Sequence, residues 1–322
     1  MVDAVVPVHL DDPIAQRQSR PALARRVAAV ALAAGLAVAA GCSMVGRLGY
    51  DHLPTLAAWR ADSYLSLNAE QKAIASRRME ALHAWHRSTQ LDDYAALLRE
   101  IQRTVAQGDV DEARIRAWRL AMFERWRPIA DRAAPAVAEF AVTLDPAQMR
   151  RLRDEMERDN AKLRREWMPE DRSERIEVRT KRYLDRAELF LGTLTAEQRQ
   201  LARRLAAEVP DSEEQWFAQR LLRQQDLVAT FDRIRTERPD AATASAWMRE
   251  HLMRYAQVRD GPGRPFSESS LAASDAMSAR MLAISTPRQR QHLQRKLQEW
   301  IDLLESLRPG PTARSTGTIA TN

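Results

Sequence analysis

Glu80, His83 and His86 lie three residues apart, so on a helix all three side chains fall along one face. A carboxylate and two imidazoles form a donor set that zinc accepts when water or a distant side chain fills the fourth position. No His-Glu-x-x-His arrangement accompanies them, and the chain has Cys 1. The competing reading pairs His86 with a carboxylate and leaves His83 at the surface, so Glu80, His83 and His86 stand as metal candidates while the expectation is no metal. Other reactive constellations are weaker still. Asp92-Asp93 and Glu213-Glu214 are adjacent pairs whose members point in different directions on a helix, unlike two carboxylates facing each other across a glycosidic bond. Neither a Gly-x-Ser-x-Gly elbow nor a glycine-rich phosphate loop occurs. A protein without catalysis and without a cofactor is therefore expected.

The remaining reactive group is the thiol of Cys42. Arg20, Arg25 and Arg26 precede an uncharged stretch of Ala, Val and Leu over residues 27–40, which is too short to cross a hydrocarbon layer needing about 20 residues. Ala39-Ala40-Gly41-Cys42 closes that stretch and resembles a bacterial lipobox, with Ala39 standing where Leu is more usual. Removal of residues 1–41 as a signal peptide would leave Cys42 acylated, and two or three chains suffice for stable anchoring in the lipid bilayer. Ser43 follows where an Asp would retain the protein, so the resemblance implies the periplasmic face of the outer membrane. The plain alternative is that Cys42 is a small buried hydrophobe. Residues 1–19 carry Asp3, Asp11 and Asp12, unusual for a signal n-region, which suggests a start assigned too far upstream. A single cysteine also excludes a disulfide within the chain.

The 322 residues are 45% hydrophobic and 29% charged with Gly 10, a Gly-poor composition rich in Arg, Glu, Ala and Leu that favours helix over sheet. The net charge of +6 comes from Lys+Arg 50 against Asp+Glu 44, interspersed along the chain with no single basic stripe, so nucleic acid is not an expected partner. The expected fold is all-α: an elongated bundle of antiparallel helices with capping-box starts. Its divisions are the signal (1–41), a lipid anchor, tether and lead-in segment (42–66), a helical domain (67–308) and a disordered tail (309–322).

Apolar spacing predicts helices from Asn68, over 91–105, and through Ile115, Trp118, Met122 and Trp126 until Pro128 interrupts or redirects the chain. Between Asp145 and Pro169 a narrow stripe of Met149, Leu152, Met156 and Leu163 runs through charged residues, predicting a solvent-exposed helix laced with ion pairs. Further helices are predicted over 175–191, 196–207, 212–235, 242–258 and 287–307, with loops at Gly108-Asp109 and over 261–265.

Four helix starts share one local phrase. Asn68, Asp145, Thr195 and Thr286 can cap free N–H groups, and Gln71, Gln148, Gln198 and Gln289, three residues later, can reach back in a capping box. Pro146 and Pro287 occupy the first helical position, where a missing N–H costs nothing. Asp211 with Glu214 offers a fifth box. The phrases read as capping devices first and as traces of duplication second.

Tyr50-Asp51-His52-Leu53, then Trp59, Asp62 and Tyr64, the Leu67-Asn68-Ala69-Glu70-Gln71 phrase, Trp85-His86-Arg87, and later Leu194-Thr195-Ala196-Glu197-Gln198 and Glu214-Gln215-Trp216 resemble the DUF6279 lipoproteins, an uncharacterised proteobacterial family, over roughly residues 42–304. The resemblance implies an envelope address and a helical fold, and brings no activity with it. The Leu-Thr-x-x-Gln phrase is also similar to one in small periplasmic helical chaperones, and the extended helical body to lipase-specific foldases. Eight Trp are spread one to most predicted helices, where they chiefly fill seams. Trp59, Tyr64, Trp85, His86 and Arg87 are the candidate interaction residues, since aromatic and arginine side chains carry much of the energy of protein contacts, with Trp59 and Tyr64 foremost because they lie beside the membrane-proximal lead-in and not within a long helical pattern. The expected function is a lipid-anchored periplasmic interaction or scaffold protein with an envelope protein as partner. A chaperone or foldase holding client polypeptides is the first alternative and an envelope enzyme the second.

Overall fold

The computed structural model describes residues 43–108, 110–208, 213–256 and 264–309. Every element among them is helical: α1 (Ser43–Asp51), α2 (Leu53–Leu65), α3 (Ala69–Thr89), α4 (Leu91–Gln107), α5 (Glu112–Glu124), α6 (Trp126–Val142), α7 (Pro146–Trp167), α8 (Arg172–Leu191), α9 (Ala196–Glu208), α10 (Glu213–Glu237), α11 (Ala241–Ala256), α12 (Arg264–Ala283) and α13 (Pro287–Ser306). The all-α expectation holds. The expected signal, Cys42 and the tail beyond residue 309 lie outside the described residues, as do Asp109, Asp211 and residues 257–263; of the loop expected over 261–265, Arg264 and Pro265 instead open α12.

Helices follow one another as hairpins, and the hairpins alternate between two cores. The first core takes its buried residues from α2, α3, α6, α7, α10 and α11, including Leu65, Ala75, Ala134, Leu152, Ile234 and Met248. The second takes them from α4, α8, α9, α12 and α13, including Val105, Leu191, Ala202, Met277 and Leu297, with Trp118 of α5 packed against it. Apart from α1 and helices consecutive in the chain, every close helix pair falls inside one core or the other. Each core is thus three hairpins, and the chain passes back and forth between them. α1 seals the junction by placing Tyr50 among Leu91, Leu303 and Leu307.

The four capping phrases meet in pairs, one pair at the turns of each core. Asn68 with Gln71, Asp145 with Gln148 and Thr286 with Gln289 each form a full box, and Thr195 with Gln198 makes the same two reciprocal bonds at 2.9 and 3.2 Å. The glutamines then pair across the core. Gln71 Nε2 donates to Gln148 Oε1 at 3.0 Å and Gln148 Nε2 to Gln71 Oε1 at 2.7 Å. Gln198 and Gln289 exchange the same two bonds at 2.9 and 2.8 Å. The second N–H of each amide reaches a backbone carbonyl in the partner's turn: Gln71 to Thr143, Gln148 to Ser66, Gln198 to Ile284 and Gln289 to Thr193. Each carboxamide therefore uses both donors and both acceptor sites, the full capacity of the group. That is why an amide stands here. A glutamate would satisfy the capping box equally well but could not donate to its twin.

Both pairs sit at tight reversals. Ser66 adopts φ 48, ψ 66, and Gly192 adopts φ 71, ψ −146, a region open essentially to glycine alone. A Cβ on Gly192 would also meet the His292 ring at 3.4 Å. Leu67, Leu144 and Leu194, each immediately before its cap, are buried beside the pairs.

Several expectations need correction. Residues 43–65, expected as a tether, form α1 and α2. Pro54 falls in the first turn of α2, where it is tolerated, and Leu65 is part of the first core. Pro128 does not end a helix; the break falls at Arg125, and Pro128 lies in the first turn of α6. That helix was not expected because Pro135 sits inside it and its core face is alanine. Ala130, Ala134, Ala138 and Ala141 are buried, and α6 packs closely on α11. α12 was also missed; bidentate bonds from Arg119 of α5 to the buried Asp275 fix it to α5. The charged α7 keeps its narrow stripe but is not free in solvent, since Met149, Leu152 and Asn160 are buried.

Replacing Gln198 by Glu isolates the pairing from the capping, because the carboxylate still accepts from Thr195 N–H but leaves an anion beside Gln289 Oε1. Gln198→Glu is expected to cost about 2–4 kcal/mol in urea unfolding at neutral pH. Part of the loss should return at pH about 4, where a protonated Glu can donate. A cost below about 0.5 kcal/mol would show that capping alone matters here.

Candidate functional site

The structure separates the three metal candidates. Nδ1 of His86 lies 2.9 Å from the Tyr50 hydroxyl and Nε2 3.2 Å from the Tyr94 hydroxyl, so both ring nitrogens are engaged by tyrosines and not by a carboxylate. His83 is half-buried, not at the surface, with its ring 4.6 Å from that of Tyr50, while Glu80 points into a shallow depression beside Trp59 and Lys72. Among the described residues no three His, Cys, Asp or Glu side chains are grouped to hold a metal ion.

What these residues build is a junction. Burial holds the Tyr50 and Tyr94 hydroxyls above their ordinary range. Burial also pulls both imidazoles below 6.5, with His83 adding to the effect on His86 and Arg87 to that on His83. Arg87 donates to the carbonyl of Leu307 and to Asp51 at 3.2 Å, tying α3 to the end of α13 and to α1. Trp85 is half-buried with its edge toward His86. Tyr64 is likewise occupied: its hydroxyl donates to Asp159 of α7, and Arg60 bonds both at 2.6 and 2.8 Å while lying over the Tyr64 ring. Burial and the Asp159 bond push the Tyr64 hydroxyl up to about 12. Of Trp59, Tyr64, Trp85, His86 and Arg87, only Trp59 is exposed, at 42%. The five do not assemble into one surface.

A different surface is open. The antiparallel helices α7 and α10 flank an open groove of about 580 Å³. Its floor is Met156, Phe217, Leu221 and Val228, and its rims carry Arg153, Asp232, Glu157 and Arg164. Asn160 crosses the floor, donating to Gln224 Oε1 at 2.6 Å and accepting from Arg220 at 2.7 Å. Along α7 the lining spans residues 153–164, about 17 Å at 1.5 Å per residue. At one end the groove meets an aromatic stack. Trp167 and Trp216 lie 6.1 Å apart at 12° between planes, each 37% exposed, and the Arg182 guanidinium covers Trp167 at 4.8 Å. Burial holds Arg182 below its ordinary value against the opposing pull of Glu213. Beneath that end, the buried Arg179 bonds Glu213 in bidentate fashion at 2.8 Å and the Ala206 carbonyl at 2.8 Å, joining the second core to the start of α10.

The adjacent carboxylates diverge as the helical geometry requires. Glu213 turns inward to Arg179 while Glu214 turns out to Arg164, and Asp92 and Asp93 meet Arg308 and Arg125. Sequence reasoning missed the groove, although Phe217, Leu221, Gln224 and Val228 recur at helical spacing along a face of α10, a signal lost among Leu222, Leu227 and Phe231 on other faces.

Fold and groove together define an all-α protein of two hairpin cores. The chain belongs to a family of unknown function, DUF6279, whose model matches residues 63–251, from the last turn of α2 into α11. That match is shorter at both ends than the resemblance read from the sequence, yet it contains the first glutamine pair and both walls of the groove. No curated protein and no solved structure matches the chain.

The junction histidines give stability a pH dependence. Because the folded imidazoles bind protons less readily than at the ordinary 6.5, the stabilisation is complete above that value and is lost progressively as pH falls below it. The urea midpoint should therefore fall between about pH 7.5 and about pH 5.5. A His83→Gln/His86→Gln variant should show a smaller fall over the same interval. An equal fall in the variant would place the sensitivity elsewhere.

Proposed function

We propose that the protein is a lipid-anchored interaction protein of the periplasmic face of the outer membrane, which holds an amphipathic helix of another envelope protein in the α7–α10 groove without catalysing a reaction. The observation that carries this reading is the groove. An apolar floor about 17 Å long between rims of both charge signs fits some three turns of a helix laid in a groove, with anchors at i, i+3 or i+4 and i+7. Phe217 and the Trp167–Trp216 stack supply the aromatic and arginine-rich surroundings in which a few side chains dominate binding energy. The lipobox-like Ala39-Ala40-Gly41-Cys42 supports the anchor, which would act by position, keeping the groove within reach of the membrane.

A photocrosslinking residue in place of Gln225, on the exposed rim, tests this in cells carrying the full-length protein. One envelope polypeptide should be captured, joined through an amphipathic segment, and capture should fall at least tenfold in Leu221→Glu, equivalent to about 1.4 kcal/mol. Cys42→Ala should abolish incorporation of labelled palmitate and reduce capture. Capture of many unrelated unfolded chains would instead mark a client-holding factor. No capture above that from an equivalent residue at Glu112, far from the groove, would end the proposal.

A further inference from the structure

The second core is not closed. Between α4, α5, α8, α12 and α13 lies a cavity of about 330 Å³. Folded interiors pack as densely as organic crystals and tolerate few voids larger than a water molecule, so a space of this size in the middle of a core calls for an occupant. It falls within the range of small-molecule sites, about 300–1,000 Å³. We infer that this cavity is a binding site for a single-chain anionic amphiphile, a fatty acid or the single chain of a lysophospholipid, with its alkyl tail among the core side chains and its head at Arg186.

The walls set the tail chemistry. Phe190, Met277, Met281 and Leu297 line the interior, and the unbranched, polarisable thioethers can shape themselves around a flexible chain. Trp118 and Trp300 complete the wall with their indole rings. The volume sets the length: a cavity of about 150 Å³ holds benzene, so about twice that space suits roughly a dozen carbon atoms.

Charge sets the head. Only two lining residues are exposed, Met122 and Arg186, and they mark the mouth. Arg186 has no ion-pair partner among the described residues, and it is the one charged side chain among those lining the cavity. An unpaired guanidinium at the mouth of an apolar cavity selects an anionic head over a cationic one, and its planar fork suits a carboxylate or a phosphate. This site is separate from the α7–α10 groove and shares no lining residue with it, so either can fail without the other.

Isothermal titration calorimetry of the purified full-length chain decides the matter, with dodecanoate, a 12-carbon lysophosphatidylglycerol and dodecyltrimethylammonium as probes below their micellar concentrations. One dodecanoate per chain should bind, at least tenfold more tightly than the cationic analogue. Ala187→Phe, which fills the cavity, should weaken dodecanoate at least tenfold. Arg186→Glu, a change at an exposed position that leaves the core intact, should abolish the preference for the anion. The lysophospholipid binding as tightly as dodecanoate would identify a membrane lipid as the source, whereas dodecanoate alone would identify free fatty acid. No saturable binding, or binding equal in Arg186→Glu and in the unmodified chain with no charge preference, would overturn the inference even if Ala187→Phe failed to fold.

Discussion

Two carboxamides facing each other out of water must place every N–H and every lone pair on a partner, because an unmet polar group in a protein interior costs as much as several good contacts return. Gln71 with Gln148 and Gln198 with Gln289 meet that demand only when two capping boxes lie side by side in opposite senses. The rest of the architecture depends on this constraint. One pair locks the α2–α3 turn to the α6–α7 turn; the other locks the α8–α9 turn to the α12–α13 turn. Eight helices are thereby fixed in register at their ends, and each core needs only one more hairpin to complete it.

With the outer turns fixed, the middle of the molecule is left to ionic and aromatic contacts. Arg179 and Glu213 join the second core to α10, and Arg87 joins α3 to the end of α13. The Tyr50–His86–Tyr94 chain holds α1 in place between them. Buried ion pairs are poor sources of net stability but costly to break on one side only, which suits them to specifying how two separately packed cores meet. The α7–α10 groove begins beside the Arg179–Glu213 pair, at Arg164 and Phe217, while the cavity lies within the second core. The two candidate binding surfaces thus belong to different cores of one continuous chain.

Much of the fold was legible because helix starts carry local chemistry. Asn68, Asp145, Thr195 and Thr286 announce themselves by spacing to their glutamines, and the structure places a helix after each. That the glutamines would find each other was not legible, since a capping box reads identically with or without a twin 77 or 91 residues away. α6 was hidden for a different reason: its core face is alanine, whose small side chain leaves a weak periodic signal while permitting the close approach to α11. The tyrosine partners of His86 and the Asp159 partner of Tyr64 come from other helices, so residues that looked available for binding proved to be structural. Binding surfaces were the least legible part, because a groove or a cavity is made by how helices are spaced and not by any one helix.

The most direct test of the paired-amide account is hydrogen exchange of glutamine side chains followed by nuclear magnetic resonance on labelled protein. The side-chain amide protons of Gln71, Gln148, Gln198 and Gln289 should exchange at least about 100-fold more slowly than those of the exposed Gln107 and Gln225, since their release requires a core to open. Exchange of all four at the rate of the exposed amides would contradict the account, because it would mean that the pairs are open to water and do not hold the two cores in register.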